Sequence, residues 1–187
     1  MAWQYTPYII PLVLTTCLAI GVAVVSWRRR GAERGAVPLA VLMIGVAVWC
    51  LAYAMRLGAT TRPLKIFWAR VRYLGILMTP GAMFAFVLQY TDRARRLRAK
   101  RMAWLAIEPS VMALLVWTNG SLHHLVWQKI HLFQYPAFVG WKADHGVAFW
   151  LHCVYSYILL LLILFWLIRA WVSSSQFYRP QVGIFLI

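Results

Sequence analysis

The sequence predicts an all-α integral membrane protein with five complete transmembrane helices and the start of a sixth. Its 187 residues are 63% hydrophobic and only 12% charged, which is more apolar surface than a soluble domain of this size can bury. The hydrophobic residues come in runs of about 20, the length of helix that crosses a hydrocarbon core of about 30 Å. The basic residues lie between these runs, as they do in the loops of multi-pass proteins.

The predicted helices follow one another without a linker or an internal repeat, so we expect a single domain that covers residues 1–187. Pro11 and Pro38 each lie in a predicted first turn, where the missing N–H of proline costs little. Residues 58–67 are predicted to form a short, turn-rich connection, and residues 119–144 a longer loop that contains aromatic residues and histidines. The helices cover about residues 8–27, 37–57, 68–90, 102–117 and 146–168, and the sixth begins at about residue 181.

The third helix is the element around which we expect the others to be arranged. As a helix, residues 68–90 would extend about 35 Å, enough to cross the bilayer with some tilt. The segment that follows, residues 91–101, holds six basic residues and one acid. Because Pro80 removes a backbone hydrogen bond, we expect a kink near the middle of this helix. Gly81 and Ala85 would let another helix approach closely.

The distribution of basic residues predicts the orientation of the chain in the membrane. If the helices alternate in direction, the loops after helices one, three and five carry twelve of the 19 Lys and Arg residues. Because short cytoplasmic loops carry the excess of Lys and Arg, we expect these loops in the cytoplasm and the N-terminus outside. The seven on the opposite side are Arg56, Arg62, Lys65, Arg70, Arg72, Lys129 and Lys142.

The sequence also argues against several classes of function. A net charge of +15 would suit nucleic acid, but the charges alternate with apolar runs, so we expect no nucleic-acid partner. Cys17, Cys50 and Cys153 lie inside apolar runs without a CxxC spacing, which argues against a disulfide or a zinc site. There is no HExxH motif, phosphate-binding glycine loop or nucleophile elbow. We therefore expect no catalytic residues, no metal site and no cofactor.

Two polar residues inside predicted spans are candidates for a functional role. Glu108 is the only acid within a predicted helix, about 10 Å along it from the basic segment. A carboxylate at that depth must be protonated, paired or turned toward water. It is either a proton-sensing or ligand-linked group, or a partner in a structural pair with an arginine or a backbone donor. His152 is the only histidine clearly within a span, and it shares a helix face with His145.

Further landmarks recur in an order that resembles one family. They are Trp49, Tyr53, Phe67-Trp68, Tyr73-Leu74-Gly75-Ile76, Pro80, Phe86, Tyr90-Thr91, Pro109, Thr118-Asn119, His123-His124-Leu125-Val126-Trp127, Phe149-Trp150, Tyr155-Ser156-Tyr157, Tyr178-Arg179 and Gln181. This ordered set resembles the N-terminal seven-helix membrane domain of bacterial sensor histidine kinases. The same domain also precedes diguanylate cyclases.

The resemblance implies a transmembrane sensory input module of a bacterial two-component system, without catalysis of its own. It implies a multi-pass protein of the bacterial cytoplasmic (inner) membrane, with a kinase or cyclase output domain outside this chain. The 119–144 loop and the outer ends of helices three to five would form the sensing pocket. The ligand-binding residues that it suggests are Tyr73, Asn119, His123, His124, Trp127 and Trp150.

The sequence departs from the family pattern in three ways. Arg56 stands where members often carry a glutamate, and Arg72 where they often carry another acid, so the polar contacts of the outer rim should differ. The chain also ends inside the sixth apolar run, and a half-helix cannot span the bilayer. We therefore expect a truncated form of the domain.

Alternatives from other classes stay open on the sequence alone. One is a stand-alone accessory or scaffold subunit of a larger membrane complex, whose partners would copurify in stoichiometric amounts. Another is a haem-binding membrane protein, which needs facing histidines at matched depth and would show a Soret band. The expected partners are the lipid bilayer and an unknown small-molecule or membrane stimulus, with a homodimer or other membrane subunits as further options.

Overall fold

The computed structural model describes residues 3–91, 104–135 and 138–173. These residues form five α-helices and a two-stranded antiparallel β-hairpin. The helices are α1 (Ile9–Arg28), α2 (Ala36–Gly58), α3 (Arg62–Tyr90), α4 (Ile107–Thr118) and α5 (Val147–Ser173). The strands, β1 (Trp127–Gln134) and β2 (Val139–His145), lie between α4 and α5, and a 3-10 turn (Trp104–Ala106) precedes α4.

Four of these helices are long and apolar enough to cross a membrane, with mean hydropathies of 2.4 for α1, 2.2 for α2, 1.6 for α3 and 2.3 for α5. The fourth apolar segment, Trp104–Thr118, is shorter. The 12 residues of α4 extend about 18 Å, well short of a hydrocarbon core of about 30 Å. The described residues thus contain four candidate spans where the sequence predicted five. The predicted start of a sixth helix, at about residue 181, and the basic segment after Thr91 lie outside them.

Three predicted helix boundaries differ from the structure by five or six residues. α4 begins at Ile107 rather than at residue 102, after the 3-10 turn. α3 begins at Arg62 rather than at residue 68, because extended backbone at Thr61 and a proline at Pro63 start the helix inside the predicted connection. α5 continues to Ser173, past the predicted end at residue 168, so the charge of Arg169 does not end the helix.

The β-hairpin corrects the all-α prediction, since it occupies much of the stretch predicted to be a loop. Ile130 and Leu132 alternate with polar residues, which is the two-residue period of a half-buried strand. Ile130 pairs with Ala143, and Leu132 pairs with Trp141. One face of the hairpin packs on the helices through Ile130, Trp141 and Ala143.

α2 and α3 form the most extensively packed helix pair in the described part of the chain. The buried residues of α2 are mostly alanine and glycine, which lets the backbones approach closely. The close approach lies at Gly75, where an added Cβ would collide with the Gly45 carbonyl oxygen and lie 2.6 Å from the Trp49 nitrogen. The predicted small pair, Gly81 and Ala85, instead lines an open groove of about 510 Å³.

One end of the molecule gathers the end of α2, the start of α3, the end of α4, the hairpin and the start of α5; we call it the hairpin end. A buried cluster connects α3, α4, β1 and α5 there, with the members Ala69, Tyr73, Leu77, Met112, Val116, Val126, Trp127 and Ala148. A smaller cluster, Val87, Ile163 and Leu167, joins α3 to α5 toward the opposite end. The larger core therefore positions the loop residues that the sequence singled out.

Candidate functional site

Asn119, directly after α4, holds the start of β1 through its side chain. Its Oδ1 accepts hydrogen bonds from the backbone nitrogens of Val126 (3.0 Å) and Trp127 (3.2 Å). Its Nδ2 donates to the carbonyl oxygen of Trp127 at 3.1 Å. The side chain is 5% exposed, so these bonds replace water almost completely. Asn119 thus binds the backbone at the start of β1 with both atoms of its side-chain amide.

Arg70 joins this site to α3. Its Nη2 donates a hydrogen bond of 2.8 Å to the backbone carbonyl of Asn119. A guanidinium that binds a carbonyl at a helix end is a charge-assisted contact, stronger than a neutral one. Through Arg70 and Asn119, the positions of α3, α4 and β1 depend on one another.

A cluster of aromatic rings in edge-to-face contact lies next to these hydrogen bonds. Trp127 packs edge to face against Tyr73 of α3, with ring centroids 5.3 Å apart, and against Trp141 of β2 at 5.9 Å. Both Tyr73 and Trp127 are only 3% exposed. Aromatic pairs in this geometry stabilise a fold by about 1 kcal/mol beyond the area they bury. We call Arg70, Tyr73, Asn119 and Trp127 the Asn119 hub.

His123 is built into the turn that precedes β1. Its Nδ1 accepts a hydrogen bond from the nitrogen of Leu125 at 3.2 Å, so in this arrangement the proton is on Nε2. Nε2 then donates to Thr118 Oγ1 at 2.9 Å, and that hydroxyl donates to the Leu114 carbonyl at 2.7 Å. The turn closes through Gly120, whose φ of +90° suits glycine. His123 therefore supports the hub.

A cavity of about 600 Å³ lies beside the hub, and we call it the hairpin cavity. Its lining residues include Asn119, His124 and Trp127, three of the six residues that the sequence suggested for ligand binding. Tyr73 lies behind Trp127 in the buried core. Trp150 is not among the lining residues: it is 61% exposed and contacts Phe149.

The two polar residues that were predicted inside spans contact each other. His152 Nδ1 lies 2.9 Å from Glu108 Oε1, which joins α4 to α5. His152 is 4% exposed, and its Nε2 lies 3.4 Å from the Ser156 hydroxyl. The second carboxylate oxygen of Glu108 is buried and has no hydrogen-bond partner among the described residues. The partner of Glu108 is thus a histidine rather than an arginine or a backbone donor.

Arg56 and Arg72 share one aromatic ring. Their guanidinium carbons lie 5.0 and 5.6 Å from the centroid of Tyr53, and Arg56 is also 5.7 Å from that of Trp141. Within the described residues, no carboxylate lies within 4.0 Å of either guanidinium. Cation–π contacts therefore accommodate both arginines.

His145, at the end of β2, lies next to these arginines. Its ring stacks on Phe149 with centroids 3.7 Å apart. Desolvation lowers the pKa of His145, Arg72 lowers it further, and Asp144 raises it in part. His145 is therefore neutral over a wider pH range than an exposed histidine.

Arg62, Arg70 and Lys129 were not suggested as site residues by the sequence, although all three line the hairpin cavity. The available signal was the spacing of Arg62, Ile66 and Arg70, which places them on one face of a helix. A helical period is not expected across a turn, so the predicted connection at residues 58–67 separated Arg62 and Ile66 from Arg70. For metal sites, residues 3–91, 104–135 and 138–173 bring no three His, Cys, Asp or Glu side chains together.

A known family matches nearly the whole chain. Residues 11–187 match the family model described as the N-terminal 7TM region of histidine kinase. No curated protein and no solved structure gives a significant match. The matched range includes the four candidate spans from residue 11 onward, the hairpin and every member of the Asn119 hub. The chain therefore belongs to the family of N-terminal 7TM regions of histidine kinases.

Proposed function

We propose that this chain is a sensory input module whose hairpin end receives the stimulus and whose helices transmit it across the membrane. The family supports a role as the sensory input region of a histidine kinase. The observation that carries the proposal is the Asn119 hub, which borders the hairpin cavity and hydrogen-bonds to α3 and β1. A ligand that moves Arg70 or Trp127 would therefore move α3 relative to its neighbours.

α3 is the transmitting element in this proposal. It is 29 residues long, so it extends about 43 Å from the hairpin cavity to the opposite end. Pro80 removes a backbone hydrogen bond near the middle of α3, so the helix needs less energy to change its bend there than elsewhere. A ligand shifts such an equilibrium only by its difference in affinity for the two helix arrangements.

The orientation that we propose puts the N-terminus and the hairpin end outside the cytoplasm. The support is the excess of basic residues in the loops at the opposite end. In a bacterial inner membrane, an output domain on the cytoplasmic side would then receive the change in helix packing. The chain itself would have no catalytic role, and its activity would be measured through that output.

A matched pair of substitutions tests this function. Trp127→Phe replaces the indole of a buried hub residue with a smaller ring, whereas Trp150→Phe makes the same change at an exposed position outside the cavity. In bacterial membranes that contain the native protein, we expect radiolabel from ATP to appear on a histidine of the same polypeptide or of a stoichiometric partner. Trp127→Phe should change the labelling rate about threefold or more, since loss of one aromatic contact is of the order of 1 kcal/mol.

The control and the contradicting results are defined by the same assay. Trp150→Phe should label at the wild-type rate, and both variants should be found in the membrane fraction. Absence of histidine labelling in the wild type would contradict the proposal, and copurified partners without kinase activity would support an accessory subunit. Equal rates for both variants would remove the hub from signal transmission.

A further inference from the structure

We propose that the hairpin cavity binds an oxyanion, a carboxylate or phosphate group carried by a molecule with an apolar part. The inference deepens the proposed function, because it names the class of ligand that the sensing region would take. The volume of the hairpin cavity, about 600 Å³, is in the range of small-molecule sites. The argument rests on the charges and the shape of the lining.

The cations that line the cavity come from two elements. Arg62 and Arg70 lie on one face of α3, two helical turns apart, and Lys129 lies on β1 opposite them. The twelve lining residues include no aspartate or glutamate. A concave surface of one charge sign concentrates its field and attracts the opposite charge.

Asp144 is the cross-strand partner of Lys129 in the hairpin, but among the described residues no carboxylate lies within 4.0 Å of Arg62, Arg70 or Lys129. Asp144 contacts His131, with Nε2 and Oδ2 3.4 Å apart, and Glu108 contacts His152. Glu33 lies in the α1–α2 connection at the opposite end. Arg70 gives one hydrogen bond to the neutral Asn119 carbonyl, and its Nε is buried without a partner. Arg62 and Arg70 therefore have no acidic partner within 4.0 Å among the described residues.

The remaining lining residues favour a ligand that is only partly polar. Ile66, Trp127 and Ile130 contribute apolar surface next to the cations. Arginine binds carboxylate and phosphate oxygens in a planar, two-point geometry that suits one end of such a molecule. The oxyanion belongs either to a free small molecule or to the headgroup of an anionic lipid, and these two sources can be distinguished by experiment.

Thermal unfolding of the purified full chain tests the inference. In phosphatidylcholine nanodiscs, phosphate or succinate should raise the Tm progressively with concentration, whereas chloride at equal ionic strength should not. The variant Arg62→Gln/Lys129→Gln should bind the anion about tenfold or more weakly, because it removes two charge-assisted contacts. Both residues are exposed, so this variant should keep the fold.

A charge-matched control makes the result specific to the cavity. Arg28→Gln/Arg29→Gln removes two exposed charges at the opposite end and should keep the wild-type response to phosphate. Nanodiscs that contain phosphatidylglycerol form the second arm. A rise in Tm in these discs that the cavity variant loses, without a response to free phosphate or succinate, would identify a headgroup as the source.

The outcomes that overturn the inference are separate from those that concern signalling. The oxyanion site is wrong if phosphate, succinate and phosphatidylglycerol all leave the Tm unchanged, or if the cavity variant and its control respond alike. Because this measurement uses no output domain, failure to bind leaves the histidine-labelling test of function unaffected. If histidine labelling is not observed, a measured anion affinity would still support the oxyanion site.

Discussion

Asn119 and Glu108 lie at the two ends of α4, and both bring a polar side chain into apolar surroundings. The amide of Asn119 uses its oxygen twice and its nitrogen once, in bonds of 3.0 to 3.2 Å. Glu108 uses one oxygen toward His152 and leaves the other buried without a partner among the described residues. A fully hydrogen-bonded buried group fixes a structure more firmly than one that is only partly paired. We therefore expect Asn119 to hold the hairpin end together more strongly than Glu108 holds α4 against α5.

The largest effect on stability should come from Asn119→Ala. The substitution leaves the two backbone nitrogens and the carbonyl that Asn119 binds without partners in a buried site. We expect a loss of about 3 kcal/mol in the free energy of unfolding, because each unsatisfied group costs about 1–3 kcal/mol and the turn relaxes in part. Unfolding in mixed micelles titrated with SDS measures this change.

Ser121→Ala is the control in the same turn, where an exposed hydroxyl donates to the Thr118 carbonyl at 2.9 Å. It should cost less than about 1 kcal/mol, since water replaces that bond. If Asn119→Ala were as stable as Ser121→Ala, the hydrogen bonds of Asn119 would not hold the hairpin end together.

Glu108→Gln should have a smaller effect than Asn119→Ala. The glutamine keeps an oxygen for His152 and removes only the capacity to carry a charge, so we expect a change within about 1 kcal/mol of wild type. The same SDS titration applies. A loss as large as that of Asn119→Ala would mean that the carboxylate of Glu108 is itself structural, and the contrast between the two residues would be lost.

The sequence predicted the spanning helices α1, α2, α3 and α5 well, because an apolar run of about 20 residues has the length that a helix needs to cross a bilayer. The prediction of a loop at residues 119–144 was wrong, although Ile130 and Leu132 alternate with Lys129 and His131 in the two-residue period of a strand. That alternation is visible in the sequence. The shortness of α4 is not, because the boundary at Ile107 depends on how the chain enters the helix.

The site was predicted as a set of residues but not as an arrangement. Glu108 and His152 were both singled out, yet their contact joins positions 44 residues apart and depends on how α4 packs against α5. The resemblance pointed to Asn119 and Trp127 as ligand-binding residues. Their mutual hydrogen bonds depend on the turn at Gly120, which a linear pattern does not describe. In the sequence Arg70 is only one of the charges that indicate topology, and its contact with Asn119 depends on how α3 packs beside the end of α4.

The central claim is that the hairpin end and the opposite end of α3 are coupled. Arg70→Gln removes the hydrogen bond to the Asn119 carbonyl, while Arg62→Gln removes a charge from the same face of α3 without breaking that bond. Spin labels at Tyr90 on α3 and Ile168 on α5, both exposed, report the separation of these helices far from the substitution. The labels require replacement of Cys17, Cys50 and Cys153.

The measurement is the distance distribution between these labels by pulsed electron resonance, in phosphatidylcholine nanodiscs without anionic lipid or added anion. We predict that Arg70→Gln shifts the distribution by about 1–2 Å or redistributes it between two distances, as helix shifts in switching proteins do. Arg62→Gln should leave it as in the wild type. Identical distributions in all three proteins would contradict the account, because the hub would then hold the hairpin end together without influencing the opposite end of the helices.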